Sequence, residues 1–196
     1  SKLFRELLSH QDDIAELRRK GASYDTISEL LKSDDVTVSW KTVARFCHGN
    51  RIPLTPRGAG TGLSGGALPT RGGVVLSLTK MNRIIEIDRD NFFAVVEPGL
   101  ITQKFQEEVE AVGLFYPPDP ASRGSCTLGG NLAECSGGPR ALKYGVTKDY
   151  IYGLEAVLPD GTVIETGGKL LKNVTGYNLT QLLIGSEGTL GIITRI

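Results

Sequence analysis

Pro56-Arg57-Gly58-Ala59-Gly60-Thr61-Gly62-Leu63-Ser64-Gly65-Gly66 is the stretch on which the reading of this chain turns. It contains a literal GxGxxG, from Gly60 to Gly65. In a doubly wound dinucleotide fold that pattern needs an apolar strand before it and a helix directly after it. Here Pro53 and Pro56 bracket a short strand, and Ala67 to Gly73, with Pro69 and two closing glycines, cannot be a helix. The doubly wound reading therefore fails on context. The physics of the loop survives it. Glycines 58, 60, 62, 65 and 66 allow positive φ and remove each Cβ that would hold a ligand away. Successive backbone N–H groups can then converge on an anion, with the Thr61 and Ser64 hydroxyls beside them. The competing reading is a plain flexible surface loop, which would rarely sit between two β-strands.

Outward from the loop the chain alternates strands with glycine-rich turns. Ile52 to Thr55 and Gly73 to Leu78 read as strands on either side of it. Arg83 to Asp88 and Phe92 to Glu97 read as two more, turned by Arg89-Asp90-Asn91. Thr102 is placed to cap a helix through Phe105, Val109 and Val112, closed by Gly113. Ile151 to Leu158 and Thr162 to Thr166 flank the hairpin turn Pro159-Asp160-Gly161. Asn178 caps a short helix, Leu179 to Ile184, and Leu190 to Ile196 closes as a strand. The expected class is α+β with mixed strands, without a repeating strand–helix–strand series.

The first fifty residues differ in character. They hold two of the 25 glycines, Gly21 and Gly49, and their apolar residues recur at helical spacing, as in Ile14, Leu17, Ile27, Leu30 and Leu31. Gly21 stops one helix, Ser23 caps the next, and Ser39 starts a third with Trp40 to His48 as a candidate recognition helix. Residues 1–48 are thus expected to form a helical, helix-turn-helix-like segment, with residues 49–196 as a separate domain. The segment from Ile14 to Ile27 resembles those of small plasmid and recombination regulators. Its electrostatics do not support nucleic-acid binding, since acidic and basic residues balance and only Lys41, Arg45 and Arg51 line one face. A nucleic-acid module fused to an inactive remnant is kept as the alternative function.

Charge and composition exclude more than they assign. The 22 basic and 22 acidic residues give a net charge of zero, so nothing global draws the chain to nucleic acid or an anionic membrane. No apolar run has the length to span a bilayer, and the first residues lack a signal-peptide core. Cys47, Cys126 and Cys135 form no CxxC pair and read as small buried hydrophobes in a reducing compartment. His10 and His48 are the two histidines, far apart, so no metal ligand set is assigned. The expected location is cytoplasmic, with membrane association only through a partner.

Two further regions complete the pattern. Phe115 to Ser122 carries Pro117-Pro118-Asp119-Pro120 and is followed by Gly129-Gly130-Asn131, expected to open a helix whose N–H groups face a ligand. Gly137-Gly138-Pro139-Arg140-Ala141-Leu142-Lys143-Tyr144-Gly145 comes next; Arg140 and Lys143 there read either as phosphate partners or as ordinary surface ion pairs. The last region is Gly185-Ser186-Glu187-Gly188-Thr189-Leu190-Gly191-Ile192-Ile193-Thr194. Together with Pro56 to Gly62, these residues resemble the FAD-binding domain of the vanillyl-alcohol-oxidase superfamily, of the PCMH type with two α+β subdomains. Within it they are most similar to the group of the glycolate oxidase FAD-linked subunit and D-lactate dehydrogenase. Cell-wall precursor reductases share the fold but are less similar through Lys143 to Asp149.

The resemblance implies a role for each region. Arg57, Gly58, Ala59, Gly60, Thr61, Gly62 and Ser64 would bind the FAD pyrophosphate. Pro118, Gly129, Gly130, Asn131, Gly137 and Gly138 would line the ribityl chain and flavin. Glu187, Gly188, Gly191, Ile192 and Ile193 would hold the adenosine end. It also implies an oxidoreductase in which a 2-hydroxy acid of the glycolate or D-lactate type loses a hydride to the flavin and its hydroxyl proton to a base. An iron–sulfur or other electron-transfer subunit is the implied partner. Some relatives tether FAD through a histidine in the first loop; Thr61 stands there, so the flavin is expected to be non-covalent. Family members carry Asp where this chain has Asn178, and either caps a helix. The substrate-clamping residues, the catalytic histidine and any divalent metal belong by the resemblance to a following domain. No catalytic residue is assigned among these 196 positions, and the substrate domain is expected to be absent from them.

Overall fold

The computed structural model describes residues 40–196. Most of the helix-turn-helix-like segment expected over residues 1–48, with its Ser39 cap, therefore lies outside the described residues. Helix α1 (Trp40–Gly49) is described. It buries Ala44, Phe46 and Cys47. Ala44 packs with Leu78, Val157 and Ile192, and Phe46 and Cys47 pack against Ile52, Leu54 and Val74. The boundary expected between residues 48 and 49 thus falls inside a helix whose buried side belongs to the core of the downstream α+β domain. Burial also pushes the Cys47 thiol up to about 11, so it stays protonated at neutral pH.

Strands β1 (Leu54–Arg57) and β2 (Val74–Ser77) pair in parallel, Leu54 opposite Val74. Parallel neighbours need a long crossover to bring the chain back to the starting edge. Residues 58–73 are that crossover, made of glycine loop instead of helix. Its return is tight: at Gly73, φ is 87°, and a side chain would collide with the Pro53 carbonyl, which receives the Val74 N–H at 2.8 Å.

Strands β3 (Ile84–Asp88) and β4 (Phe93–Val96) form an antiparallel hairpin. The Asp88 carboxylate sets its turn by accepting from the Asp90 and Asn91 backbone at 3.1 and 3.0 Å. Helix α2 (Thr102–Ala111) comes next. Thr102, expected as its cap, is instead its first residue, and Ile101 occupies the cap position with no side-chain bond. The Thr102 hydroxyl is fully buried, accepts from Asn131 Nδ2 at 2.6 Å and faces the Cys126 carbonyl and thiol. Tertiary packing has claimed a residue that local capping rules would have placed at the helix end.

Helix α3 (Leu128–Glu134) is capped by Thr127 and ends at Cys135 in the left-handed region, φ 51°. After a short helix α4 (Ala141–Tyr144) and a 3-10 turn (Thr147–Tyr150) come β5 (Gly153–Val157) and β6 (Val163–Gly167), the hairpin the sequence predicts. Helix α5 (Leu179–Leu183) begins at Asn178, whose side chain accepts from the Gln181 N–H at 3.0 Å. Strand β7 (Ile192–Arg195) adds to β5, giving an antiparallel sheet of order β6-β5-β7.

Helix α3 joins the two halves. Leu128 packs with Val96, Leu100 and Phe105. One turn on, Leu132 packs with Leu154, Ala156 and Ile193. Val96 and Ile196 exchange backbone hydrogen bonds at 2.9 Å in both directions, a second tie between β4 and the end of β7. The α+β class expected from the sequence is what the structure has, and the glycine loop lies directly against its central joint.

Candidate cofactor site

A cleft of about 150 Å³ opens where the crossover loop meets α3 and the turn before β7. Its walls take in Arg57, Gly58, Ala59, Gly60, Thr61 and Gly62 from the loop, Gly129, Gly130 and Asn131 from α3, and Glu187, Gly188, Gly191, Ile192 and Ile193 from the third glycine region. Three stretches far apart in sequence are thus brought to one place. Ser64, Pro118, Gly137 and Gly138 lie off this lining. Pro118 is fully buried, its carbonyl taken by Gln106 Nε2 at 2.9 Å. Gly138 packs so closely on the Asp119 carbonyl that no side chain would fit.

The loop's backbone donors are free. Among the described residues, no acceptor pairs with the N–H groups from Gly58 to Gly66, although the backbone on both sides is well paired. Such a run of unspent donors is what an anion-binding concavity needs. Two close approaches shape it. A Cβ on Gly58 would fall well under 3.0 Å from Thr127 Oγ1, so the loop lies flat against the α3 cap. At Gly60, φ is 71°, and a Cβ would collide with the Arg57 guanidinium, which folds back over its own loop toward the Ala67 carbonyl at 3.4 Å.

The α3 amides behave differently from the sequence expectation. The Leu128 N–H donates to the Leu100 carbonyl at 2.9 Å, Gly129 to the Pro98 carbonyl at 2.7 Å, and Gly130 to Thr127 Oγ1 at 3.3 Å. None is left to face a ligand. The glycines serve packing there, because a Cβ at Gly129 would strike Pro98. Asn131 is likewise held inside, donating to Thr102 and facing Ser136. Arg140 and Lys143 fit the ordinary surface reading. Arg140 pairs with Asp119 at 3.4 Å and stacks over Phe115, while Lys143 lies over the Tyr144 ring.

Several lining residues were not foreseen: Pro98, Ser122, Thr127, Glu134, Ser136 and Ser186. Thr127 had a sequence signal, a hydroxyl residue immediately before an apolar helix start. Ser122 and Ser186 sit within the two later regions already singled out in the sequence, whereas Pro98, Glu134 and Ser136 arrive by tertiary proximity. A larger groove of about 750 Å³ runs between the β3–β4 hairpin and β5–β6, with Phe93, Val109, Leu128 and Tyr152 among its walls. Its walls are mainly apolar and share no residue with the glycine loop, and the two cations among them, Lys169 and Arg195, are paired with Glu86, Glu155 and Glu165. Among the described residues, no helix is long and apolar enough to cross a membrane.

Such a cleft, an anion cradle framed by three glycine regions on an α+β scaffold, is of the nucleotide-binding class, and the chain belongs to the FAD-binding-domain family, whose model matches residues 39–167. Among curated proteins it is 51% identical over 179 residues to glycolate oxidase subunit GlcD of Bacillus subtilis (strain 168), covering 88% of this chain and 38% of that protein. It is 45% identical over 168 residues to a D-lactate dehydrogenase of Anaerostipes hadrus, covering 86% of this chain and 35% of that protein. Among solved structures, alkyldihydroxyacetonephosphate synthase superposes with a TM-score of 0.68 at 30% identity, covering 79% of this chain and 30% of that one. The chain therefore spans little more than a third of the curated relatives it matches. The share of this chain aligned with GlcD exceeds what residues 40–196 can provide, so that likeness reaches into the first 39 residues.

FAD is the cofactor of the family, and the residues present fit part of it. The cleft is too small for a whole dinucleotide, which needs several hundred Å³, but it suits the pyrophosphate. The unpaired amides from Gly58 to Gly66 supply the donors that such an anion requires.

Proposed function

We propose that this chain is the FAD-binding portion of a flavin-dependent dehydrogenase or oxidase of 2-hydroxy acids, of the glycolate or D-lactate type. The observation that carries the cofactor half of this reading is the run of unpaired loop amides from Gly58 to Gly66, of which Gly58 to Gly62 and Gly66 line the cleft. In this reading Gly58, Ala59, Gly60, Thr61 and Gly62 hold the pyrophosphate through backbone N–H groups. Arg57 acts on the loop, keeping it curled through its contacts at Gly60 and Ala67. Glu187, Gly188, Gly191, Ile192 and Ile193 border the adenosine end, and the face of α3 at Gly129, Gly130 and Asn131 supports the opposite side. Pro118, Gly137 and Gly138 act one layer back, shaping the turn that carries Asp119.

When bound, FAD supplies the two-electron acceptor that oxidation of a hydroxy acid requires. The chain's own contribution is to bind and orient it. With Thr61 in the first loop, no side chain there tethers a flavin, so binding is non-covalent. The hydroxy-acid half rests on the names of the relatives, and the partner subunit on one of them being a glycolate oxidase subunit. A soluble, cytoplasmic setting is part of the same proposal. The test is anaerobic mixing of the full native-length, FAD-loaded protein with glycolate, D-lactate and D-2-hydroxyglutarate. Bleaching of the flavin absorbance by at least one supports the reading; an oxidised spectrum unchanged by all three overturns it.

A further inference from the structure

The cleft carries one feature that an anion site should not have. Three charged residues line it: Arg57, Glu134 and Glu187. The single cation is turned back onto its own loop. Glu134, at the end of α3, reaches across to the glycine loop at Ser64, just outside the lining. Ser64 Oγ lies 2.9 Å from both Oε1 and Oε2 of Glu134. The carboxylate also presses on the loop backbone, since a Cβ on Gly62 would sit 2.9 Å from Glu134 Oε1. An anion belonging to the protein thus holds the loop's second hydroxyl donor, beside the amides where an incoming phosphate would be received.

We propose that Glu134 is an internal anion that competes with the cofactor pyrophosphate for Ser64 and the adjoining loop, and so sets the affinity of the cleft. The inference rests on the reading that the glycine loop receives that pyrophosphate. Two consequences separate it from a structural role. Removing the charge tightens binding, whereas removing a prop or a ligand would weaken it. The gain also depends on salt, because the repulsion it relieves is between exposed charges. One like-charge contact at about 4 Å in water corresponds to about a fivefold change in affinity.

The experiment is a FAD titration followed by flavin fluorescence on the wild-type chain, Glu134→Gln, Ser64→Ala and the double variant, at low and high salt. Competition by inorganic pyrophosphate is the second readout. Glu134→Gln is expected to bind both FAD and pyrophosphate about fivefold tighter at low salt, with the gain shrinking at high salt. Ser64→Ala should change little in the wild-type background and weaken binding in the Glu134→Gln background, where the hydroxyl is free for the ligand. Glu134→Ala carries the same expectation and serves if the amide variant does not fold. FAD binding that is unchanged or weaker in Glu134→Gln overturns the proposal, as does weaker FAD binding with pyrophosphate unaffected, which would mark a hydroxyl-accepting role. If the wild type binds FAD and the variant is no tighter, only the competition falls. If neither binds FAD or pyrophosphate, the cofactor reading falls with it.

Discussion

Gly58→Ala is the substitution that tests most sharply how the site is built. Gly58 does not have a positive φ, so the backbone tolerates any residue there. Space alone demands glycine. A methyl group would lie well under 3.0 Å from Thr127 Oγ1. Thr127 cannot retreat: it is 2% exposed, its hydroxyl caps α3 through Gly130, and its carbonyl accepts the Asn131 N–H at 2.9 Å. Either the loop lifts off α3 or the cap breaks. Overpacking of this kind costs about 1–3 kcal/mol, and a lost threonine cap about 1 kcal/mol more. The melting temperature should drop by roughly 5–12 °C for a chain of this size, and FAD affinity by tenfold or more as the amides move. Thermal melts and flavin fluorescence on a double-mutant cycle isolate the cause. Thr127→Ala removes the clashing oxygen, so Gly58→Ala/Thr127→Ala should lose about 1–2 kcal/mol less than the sum of the single variants. Thr127→Ser keeps the oxygen and should rescue nothing. Additive costs, or a Gly58→Ala chain with wild-type melting and FAD affinity, would refute the packing of loop on cap.

The interior supplies two other predictions. The Glu97 carboxyl is held below the usual range by hydrogen bonds from the Arg83 side chain and then by the Arg83 N–H, outweighing its burial. A depressed carboxyl stabilises the fold above its unfolded pKa of about 4.3 and ceases to do so as pH falls through the lower folded value; Glu97→Gln should therefore be less stable by roughly 1–2 kcal/mol at pH 7, with the gap to wild type closing below pH ~4 in acid melts. The Tyr116 hydroxyl is buried without a hydrogen bond of good geometry among the described residues; burial raises its pKa above the usual tyrosine range, and the nearby Thr147 side chain offsets only part of that. Tyr116→Phe keeps the edge-on contact with Phe105 and should gain about 1 kcal/mol, read as a rise in melting temperature; a fall of that size would reveal a partner for the hydroxyl.

The loop itself was legible because its glycine spacing is dense and its flanks exclude a helix. The hairpin at Pro159-Asp160-Gly161 and the Asn178 cap were legible for the same local reason. What the sequence hid was tertiary. Gly129 and Gly130 look like donors toward a ligand, but their amides are spent on Pro98 and Thr127, and the missing Cβ atoms serve packing. Thr102 looks like a cap until Asn131, 29 residues on, claims its hydroxyl. Pro118 is expected by resemblance to line the flavin, yet the chain turns it fully inward. Glu134 carries no signal of its own; only folding sets it across from Ser64. The reaction is the least legible part. The same fold at 30% identity is found in a protein named as a synthase, so the fold alone does not specify the chemistry done on it.

The central claim is that the chain binds FAD without a covalent bond, its pyrophosphate seated in the cleft between the Gly58–Gly66 loop, α3 and the turn before β7. Titration of the folded chain with FAD, followed by acid precipitation of the complex, tests it directly. The expected result is saturable quenching of flavin fluorescence at one flavin per chain, weakened in Gly58→Ala, with all the flavin recovered in the supernatant. Absence of binding by a chain whose circular dichroism shows it folded would contradict the claim, and flavin retained in the precipitate would contradict its non-covalent part.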